Sequence, residues 1–369
     1  MKNVAHAPFP GPSFSAFATG PLPTSPLRWP LHAAVMLLAG LSPLLEAADP
    51  QPGRFEFEQV HMGVPVKLIL YAADQPAANQ AADAAFERIR QLDLILSDYK
   101  PESELSRLSR TSGAGKPTPV SDDLWRVLWP AQQLAQRTQG AFDITVGPYV
   151  RLWRRARRSG EFPSPERLAE AGRSVGYRHL KLDEKRRTAE LLLPGMRLDL
   201  GGIAAGYAAD EALKTLEERG VERALIDISG DLLAGEAPPG RAGWQIGIAP
   251  VIRADGPPTR RLSLRRAALT TSGDAFQHVV IDGKRYSHIV DPRTGIGLTD
   301  QSSVTVIAAD CITADSLATA VSVMGPKAGL KLIEETPGAA ALIMRNRDGE
   351  MELHASQRLH DFEIEPEKE

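Results

Sequence analysis

"HVVIDGKRYSHIVDP", residues 278–292, consists of two short apolar runs about an Asp282-Gly283 pair. Asp-Gly suits the two left-handed positions of a tight hairpin turn, so the segment reads as two antiparallel strands. The same reading extends in both directions. Upstream, "FEFEQVHM" and "VPVKLILYA" (residues 55–62 and 64–72) pattern as paired strands, and a last hairpin is expected around Asp348-Gly349. Helical spacing runs through residues 77–96, and a second helix starts near Asp122, with Ser121, Asp122 and Asp123 suited to its positive end. A basic helix begins near Pro148, and further helices cover "ITADSLATAVSVMG" (residues 312–325) and a stretch from Pro326. Hairpins mixed with helices predict an α+β fold of mixed, largely antiparallel sheets with packed helices, not a doubly wound parallel sheet. Residues 97–121 read as a polar loop, the segment up to about Tyr177 as a Pro/Arg-rich connection, and "VERALIDISGDLLAGE" (residues 221–236) as one strand.

Composition narrows the function. The chain has 369 residues, 43% of them hydrophobic and 24% charged, which allows a sizeable core in one large domain or two ordinary ones. A net charge of −3 gives no global field for nucleic acid, and the run Arg154–Arg158 reads as a solvated helix face. With one cysteine, Cys311, an intramolecular disulfide and a cysteine metal site are excluded. The first 48 residues are proline-rich and almost uncharged, and they contain the apolar run "LHAAVMLLAGLSPLL" (residues 31–45) after Arg28. That run is shorter than the ~20 residues of a membrane span. With Ala47 and Ala48 behind it, the run reads as a secretory signal. The expectation is a targeting segment over residues 1–48, a single domain over 49–369, and an exported, periplasmic protein with no stable membrane span. No cysteine follows the apolar run, so a lipid anchor at a new N-terminal cysteine is not expected.

Four stretches hold residues suited to chemistry. "RLDLGGIAAGYAADEALKTL" (residues 197–216) passes from a short strand to a helix through Gly201, Gly202 and Gly206. Glycines at a helix N-terminus let a phosphate approach backbone N–H groups, although a tight structural turn has the same signature. The segment is neither the dinucleotide fingerprint nor a P-loop. In residues 312–325, Asp315, Thr319 and Ser322 fall on one stripe of a helix whose only charge is Asp315. Two hard oxygens one turn apart suit Mg²⁺ completed by water and substrate phosphates. The alternative is that Asp315 caps the helix and Thr319 bonds a backbone carbonyl. His288, in "SHIVDPRTG", is either a general base or a structural hydrogen bonder, and "TTSGDAF" (residues 270–276) by itself reads as a turn.

Taken together and in order, "LDLGGIAAGYAAD", "TSGD", "SHIVDPRTG" and "ADSLATA" resemble the FAD:protein FMN transferases of the ApbE type. "HMGVPV", "LSDYKPESELSRLS" and "GAFDITVGP" agree with the N-terminal motifs of that family, and the likeness runs from about Phe55 to Met344. The resemblance implies an enzyme that binds FAD and Mg²⁺, splits the pyrophosphate and transfers FMN to a threonine hydroxyl of a target protein, releasing AMP. Targets in that family resemble exported or membrane electron-transfer subunits. It also implies FAD contacts at Met62, Tyr99, Ala141, Phe142, Asp143, Asp199, Ala205, His288 and Ile289. The implied metal contacts are the Gly202 carbonyl, Asp315 and Thr319. His288 is the implied base, and Asp274 a second candidate catalytic residue. Many members carry Lys where Ala205 stands. An Mg²⁺-dependent FAD pyrophosphatase and a non-catalytic exported flavin carrier are the rival functions; a simple carrier has no use for the metal and base residues.

Overall fold

The apolar alternation of the strands decides the architecture. In the computed structural model, which describes residues 51–248, 260–273, 277–347 and 350–364, eight strands form one sheet. Their spatial order follows chain order: Gly53–His61, Val64–Ala72, Ala224–Ile228, Asp231–Ala234, Ala267–Gly273, Gln301–Ala308, Ala340–Arg347 and Glu350–Ala355. Every neighbouring pair is antiparallel. Because successive side chains point to opposite faces, Val66, Leu68 and Leu70 enter one core while Ile69 enters another. The first core is roofed by the helices Gln75–Leu96, Ala204–Glu217 and Cys311–Met324. On the opposite face, Leu232, Leu269, Ile307 and Leu342 pack against a hairpin of Trp244–Ile248 and Arg260–Leu264. Each fully buried Leu or Ile contributes about 1.5–3 kcal/mol, so both faces of the sheet stabilise the fold. The α+β expectation holds.

A third, smaller cluster positions part of the site. Helix Gly147–Ser159 lays Tyr149, Trp153 and Ala156 on Ile281 and Tyr286 of the hairpin His278–Ile281/Lys284–Ser287 and on Val290. The Trp153 indole donates to the Gly295 carbonyl at 2.8 Å, which fixes the helix against the turn after His288.

Three stretches differ from the sequence reading. The supposed polar loop holds a helix, Glu104–Arg110, because Ser103 caps it and Leu105 and Leu108 are buried. The connection before Tyr177 holds another, Pro165–Gly172, capped by Ser164. Residues 221–236 form two strands, not one. Ser229 and Gly230 take left-handed φ values of 55° and 103°, and Asp227 accepts the Gly230 N–H at 2.8 Å, closing the turn. The Asp282-Gly283 turn forms as expected, with φ values of 50° and 75°. The 1–48 targeting segment and the Asp348-Gly349 turn lie outside the described residues. Among those described, no helix is long and apolar enough to cross a membrane.

Candidate functional site

Helices Ala204–Glu217 and Cys311–Met324 cross closely because glycine permits it. A Cβ on Gly206 would lie 2.3 Å from the Cys311 carbonyl oxygen, and one on Gly202 would lie 2.7 Å from Thr319 Oγ1. The glycines therefore bring the second helix down onto the turn. Space for an anion is not their first use, since the N–H groups of Gly201, Ile203, Ala204 and Gly206 are all donated within the chain. This narrows the phosphate-cradle reading of the segment.

Asp315, Thr319 and Gly202 meet at that crossing. Asp315 is buried, and its Oδ2 accepts the Gly206 N–H at 3.2 Å. Thr319 Oγ1 lies 3.4 Å from Ser272 Oγ, on the neighbouring strand. Neither residue does the ordinary structural work of its position. The helix is capped by Asp310, and Asp210 also accepts the N–H groups of Cys311 and Ile312 at 2.7 and 2.9 Å. Ser322, the third residue of the stripe, turns back to the Ala318 carbonyl of its own helix. Cys311 is a buried core residue beside Thr270.

The electrostatics of the crossing favour a cation. Burial, and then the neighbouring Asp231 carboxylate, hold the Asp315 carboxyl well above the usual range. Asp231 itself is pushed up to about 7, chiefly by burial. Among the described residues no group of three His, Cys, Asp or Glu side chains is placed to hold a metal ion. The oxygens at hand are a carboxylate, a hydroxyl and a backbone carbonyl on a turn that has no room for a side chain. That donor set fits a hard, oxygen-seeking divalent cation that keeps water and substrate in its shell.

A second group forms just before the glycines. Asp199 is buried and accepts the Gly201 N–H and Arg154 Nη2, both at 2.9 Å. Its own N–H donates to Ile144 at 2.8 Å, tying "GAFDITVGP" to "LDLGG". Arg154 also pairs with Asp98, and its guanidinium sits 4.0 Å from the centre of the Tyr99 ring. Burial, then the Asp98 charge, push the Asp199 carboxyl up, against the pull of Arg154. The solvated-face reading of residues 154–158 thus fails for Arg154, whose side chain is 17% exposed. The signal was present: Val150, Trp153, Arg154 and Arg157 fall at i, i+3, i+4, i+7, the stripe that faces inward. Ser272 and Asp231 were likewise missed, because strand polarity alone does not say which neighbour a polar residue meets.

The other residues are spread around these two groups. His288 donates from Nδ1 to the Gln277 carbonyl at 3.1 Å, since a carbonyl can only accept, so the basic lone pair resides on Nε2. Ile289, half-buried, donates its N–H to Ser287 Oγ. Met62 occupies a left-handed position (φ 52°) in the first hairpin and packs on the main core, as does the half-buried Ala205. Ala141 and Phe142 are buried. Asp143 is buried too; it accepts from the N–H and hydroxyl of Thr145 and the N–H of Tyr177, so it anchors its own loop. Asp274 lies outside the described residues. A separate cleft of about 340 Å³, lined in part by Arg126, Tyr207, Asp210 and Lys214, includes none of Gly202, Asp315, Thr319, Arg154 and Asp199.

The chain has relatives similar in sequence and in fold. The family model for ApbE matches residues 62–343. A protein of Haemophilus influenzae named FAD:protein FMN transferase is 33% identical over 268 residues, covering 71% of this chain and 77% of that protein. One of the same name from Vibrio cholerae is 31% identical over 335 residues, covering 87% and 96%. The solved flavin transferase ApbE of Vibrio cholerae superposes with a TM-score of 0.76 at 28% identity over 84% of this chain and 99% of its own. The crystal structure of the ApbE protein from Thermotoga maritima gives 0.76 at 30% identity, over 85% and 100%. With the family model matching well over half of the chain, both crossing helices included, the chain belongs to the ApbE family.

Proposed function

We propose that this protein is an FAD:protein FMN transferase. It cleaves the pyrophosphate of FAD and passes FMN, as a phosphoester, to a threonine hydroxyl of an electron-transfer protein, releasing AMP. One observation supports this reading above the rest: a buried carboxylate, a threonine hydroxyl and a glycine turn meet where two helices cross. The activity is the one carried in the names of its relatives.

Asp315, Thr319 and the Gly202 carbonyl are the residues that would hold Mg²⁺. When bound, the ion supplies charge neutralisation at the pyrophosphate as its P–O–P bond breaks. Phosphoryl transfer depends mainly on positioning and electrostatics, so a preorganised crossing of two helices suits it. The chain's own chemistry then falls to His288. Its Nδ1 is committed to the Gln277 carbonyl, which leaves Nε2 as the nitrogen that takes the proton from the incoming threonine hydroxyl. Tyr99 and Asp199 bind and orient the flavin nucleotide. The reading includes export: the apolar run at residues 31–45 directs the chain to the periplasm, with removal near Ala48. N-terminal sequencing of the periplasmic form tests that part.

The function is tested by incubating the purified protein with FAD, Mg²⁺ and an acceptor domain bearing a candidate threonine. The expected result is an FMN-sized mass gain on that threonine with release of AMP, abolished by a chelator. AMP and free FMN without labelling of any acceptor would favour a pyrophosphatase. FAD binding with neither product would leave a carrier.

A further inference from the structure

Arg154 is the residue whose surroundings demand the most explanation. It stands on the inward stripe of helix Gly147–Ser159, next to Trp153, and the same helix packs on the His288 hairpin. Its guanidinium meets three groups at once: Asp98, Asp199 and the face of Tyr99. Asp98 and Tyr99 follow the long helix Gln75–Leu96, and Asp199 begins the glycine turn, so one side chain ties three separate segments together. A planar fork can bridge two carboxylates while lying flat on an aromatic ring, which an ammonium cannot do. Tyr99, meanwhile, is 72% exposed despite being held from one side. A ring fixed from behind presents its other side as a flat stacking surface.

We propose that Arg154 is a positioning residue for the flavin nucleotide: by bridging Asp98 and Asp199 beneath Tyr99, it presets the Tyr99 ring as a stacking platform and aims the glycine turn at the helix crossing. It does this without touching the reacting atoms. The role rests on the FAD reading above, and it predicts a specific kinetic signature. Loss of Arg154 loosens ground-state binding of FAD and leaves chemistry at saturating FAD largely intact. The exposed neighbour Arg155, one position further on, has no part in it.

The test compares Arg154→Met, Arg154→Lys, Tyr99→Ala, the Arg154→Met/Tyr99→Ala double variant and Arg155→Met in the full-length protein. FAD affinity is read by flavin fluorescence, and kcat and KM by AMP release with acceptor. Arg154→Met is expected to weaken FAD binding and raise its KM by about fivefold or more, with kcat within about threefold of wild type. Arg154→Lys recovers part of the affinity, Arg155→Met matches wild type, and the double variant binds no worse than about twofold below the weaker single variant, because the two residues act as one unit. An Arg154→Met affinity less than about fivefold below wild type, a lysine variant that binds FAD as tightly as wild type, or a fully additive double variant would each overturn the proposal. Should Arg154→Met not fold, Asp98→Asn, which removes one arm of the bridge, takes its place, and unchanged FAD affinity there overturns it. A wild-type protein that binds no FAD defeats the functional reading itself. Wild-type binding with an indifferent Arg154 defeats the role of Arg154 alone.

Discussion

The approach of Thr319 demands that position 202 carry no side chain, and Gly202→Ala tests it. A Cβ there would sit 2.7 Å from Thr319 Oγ1, 3.1 Å from Cγ2 and 3.2 Å from Cβ, where ordinary contact begins at 3.4 Å. Rotating Thr319 clears only one of its two outer atoms at a time, so the helix Cys311–Met324 must shift. Overpacking of this kind costs about 1–3 kcal/mol. Gly202 is outside the left-handed region, so alanine recovers about 0.4–1 kcal/mol through the unfolded chain. The net loss is about 1–2 kcal/mol, or a fall in Tm of roughly 1.5–3 °C for a domain of this size. Thr319→Ala removes the two closest atoms. The Gly202→Ala/Thr319→Ala protein should therefore regain most of the lost stability, with a coupling energy of about 1 kcal/mol in a double-mutant cycle. Activity should part from stability: both single variants and the rescued double variant lose about tenfold or more in FMN transfer, because the hydroxyl or its geometry is gone. Thermal melts and AMP release on the four proteins decide the matter. If the double variant melts as low as Gly202→Ala, the clash is not with Thr319. If Gly202→Ala melts and turns over as wild type does, the helix crossing is not the site.

Other expectations follow from particular groups. Asp315→Asn keeps the shape of the side chain and removes the charge that a cation would meet, so Mg²⁺-dependent transfer should fall by about a hundredfold or more, while the Mg²⁺-free protein, relieved of repulsion from Asp231, melts no lower than wild type; transfer that survives would refute the metal role. His288→Gln should reduce kcat by about 10²–10⁴ with little change in FAD affinity, and loss of FAD binding at unchanged kcat would make His288 a ligand contact instead. Burial raises the Asp210 carboxyl to about 7, above its unfolded value, so the folded state holds this proton more tightly than the unfolded chain. That contribution is complete below about pH 4 and is lost as pH rises through about 7. The Tm difference between wild type and Asp210→Asn should accordingly move against wild type from pH 5 to pH 8, and a difference independent of pH would show that Asp210 does not titrate in this range.

What could be seen in the sequence depended on whether a feature was local. Asp282-Gly283 announces a hairpin because two adjacent residues fix the turn, whereas Ser229-Gly230 was hidden inside an apolar run and the strand appeared unbroken. Asp315 and Thr319 could be paired because both lie on one stripe of one helix. Their third partner, Gly202, came from the motif, and its reason emerged only when two helices more than a hundred residues apart were seen to touch. Arg154 shows the opposite failure: helical spacing placed it inward, but a run of arginines was given the surface because buried arginine is costly unless paired. Pairing is the property that the chain reveals last, since Asp98 and Asp199 reach Arg154 from segments with no spacing rule between them. Buried charge in a sequence is therefore better weighed by periodicity first and by composition second, and an arginine that falls on the apolar stripe of its helix is a reason to look for two carboxylates elsewhere in the chain.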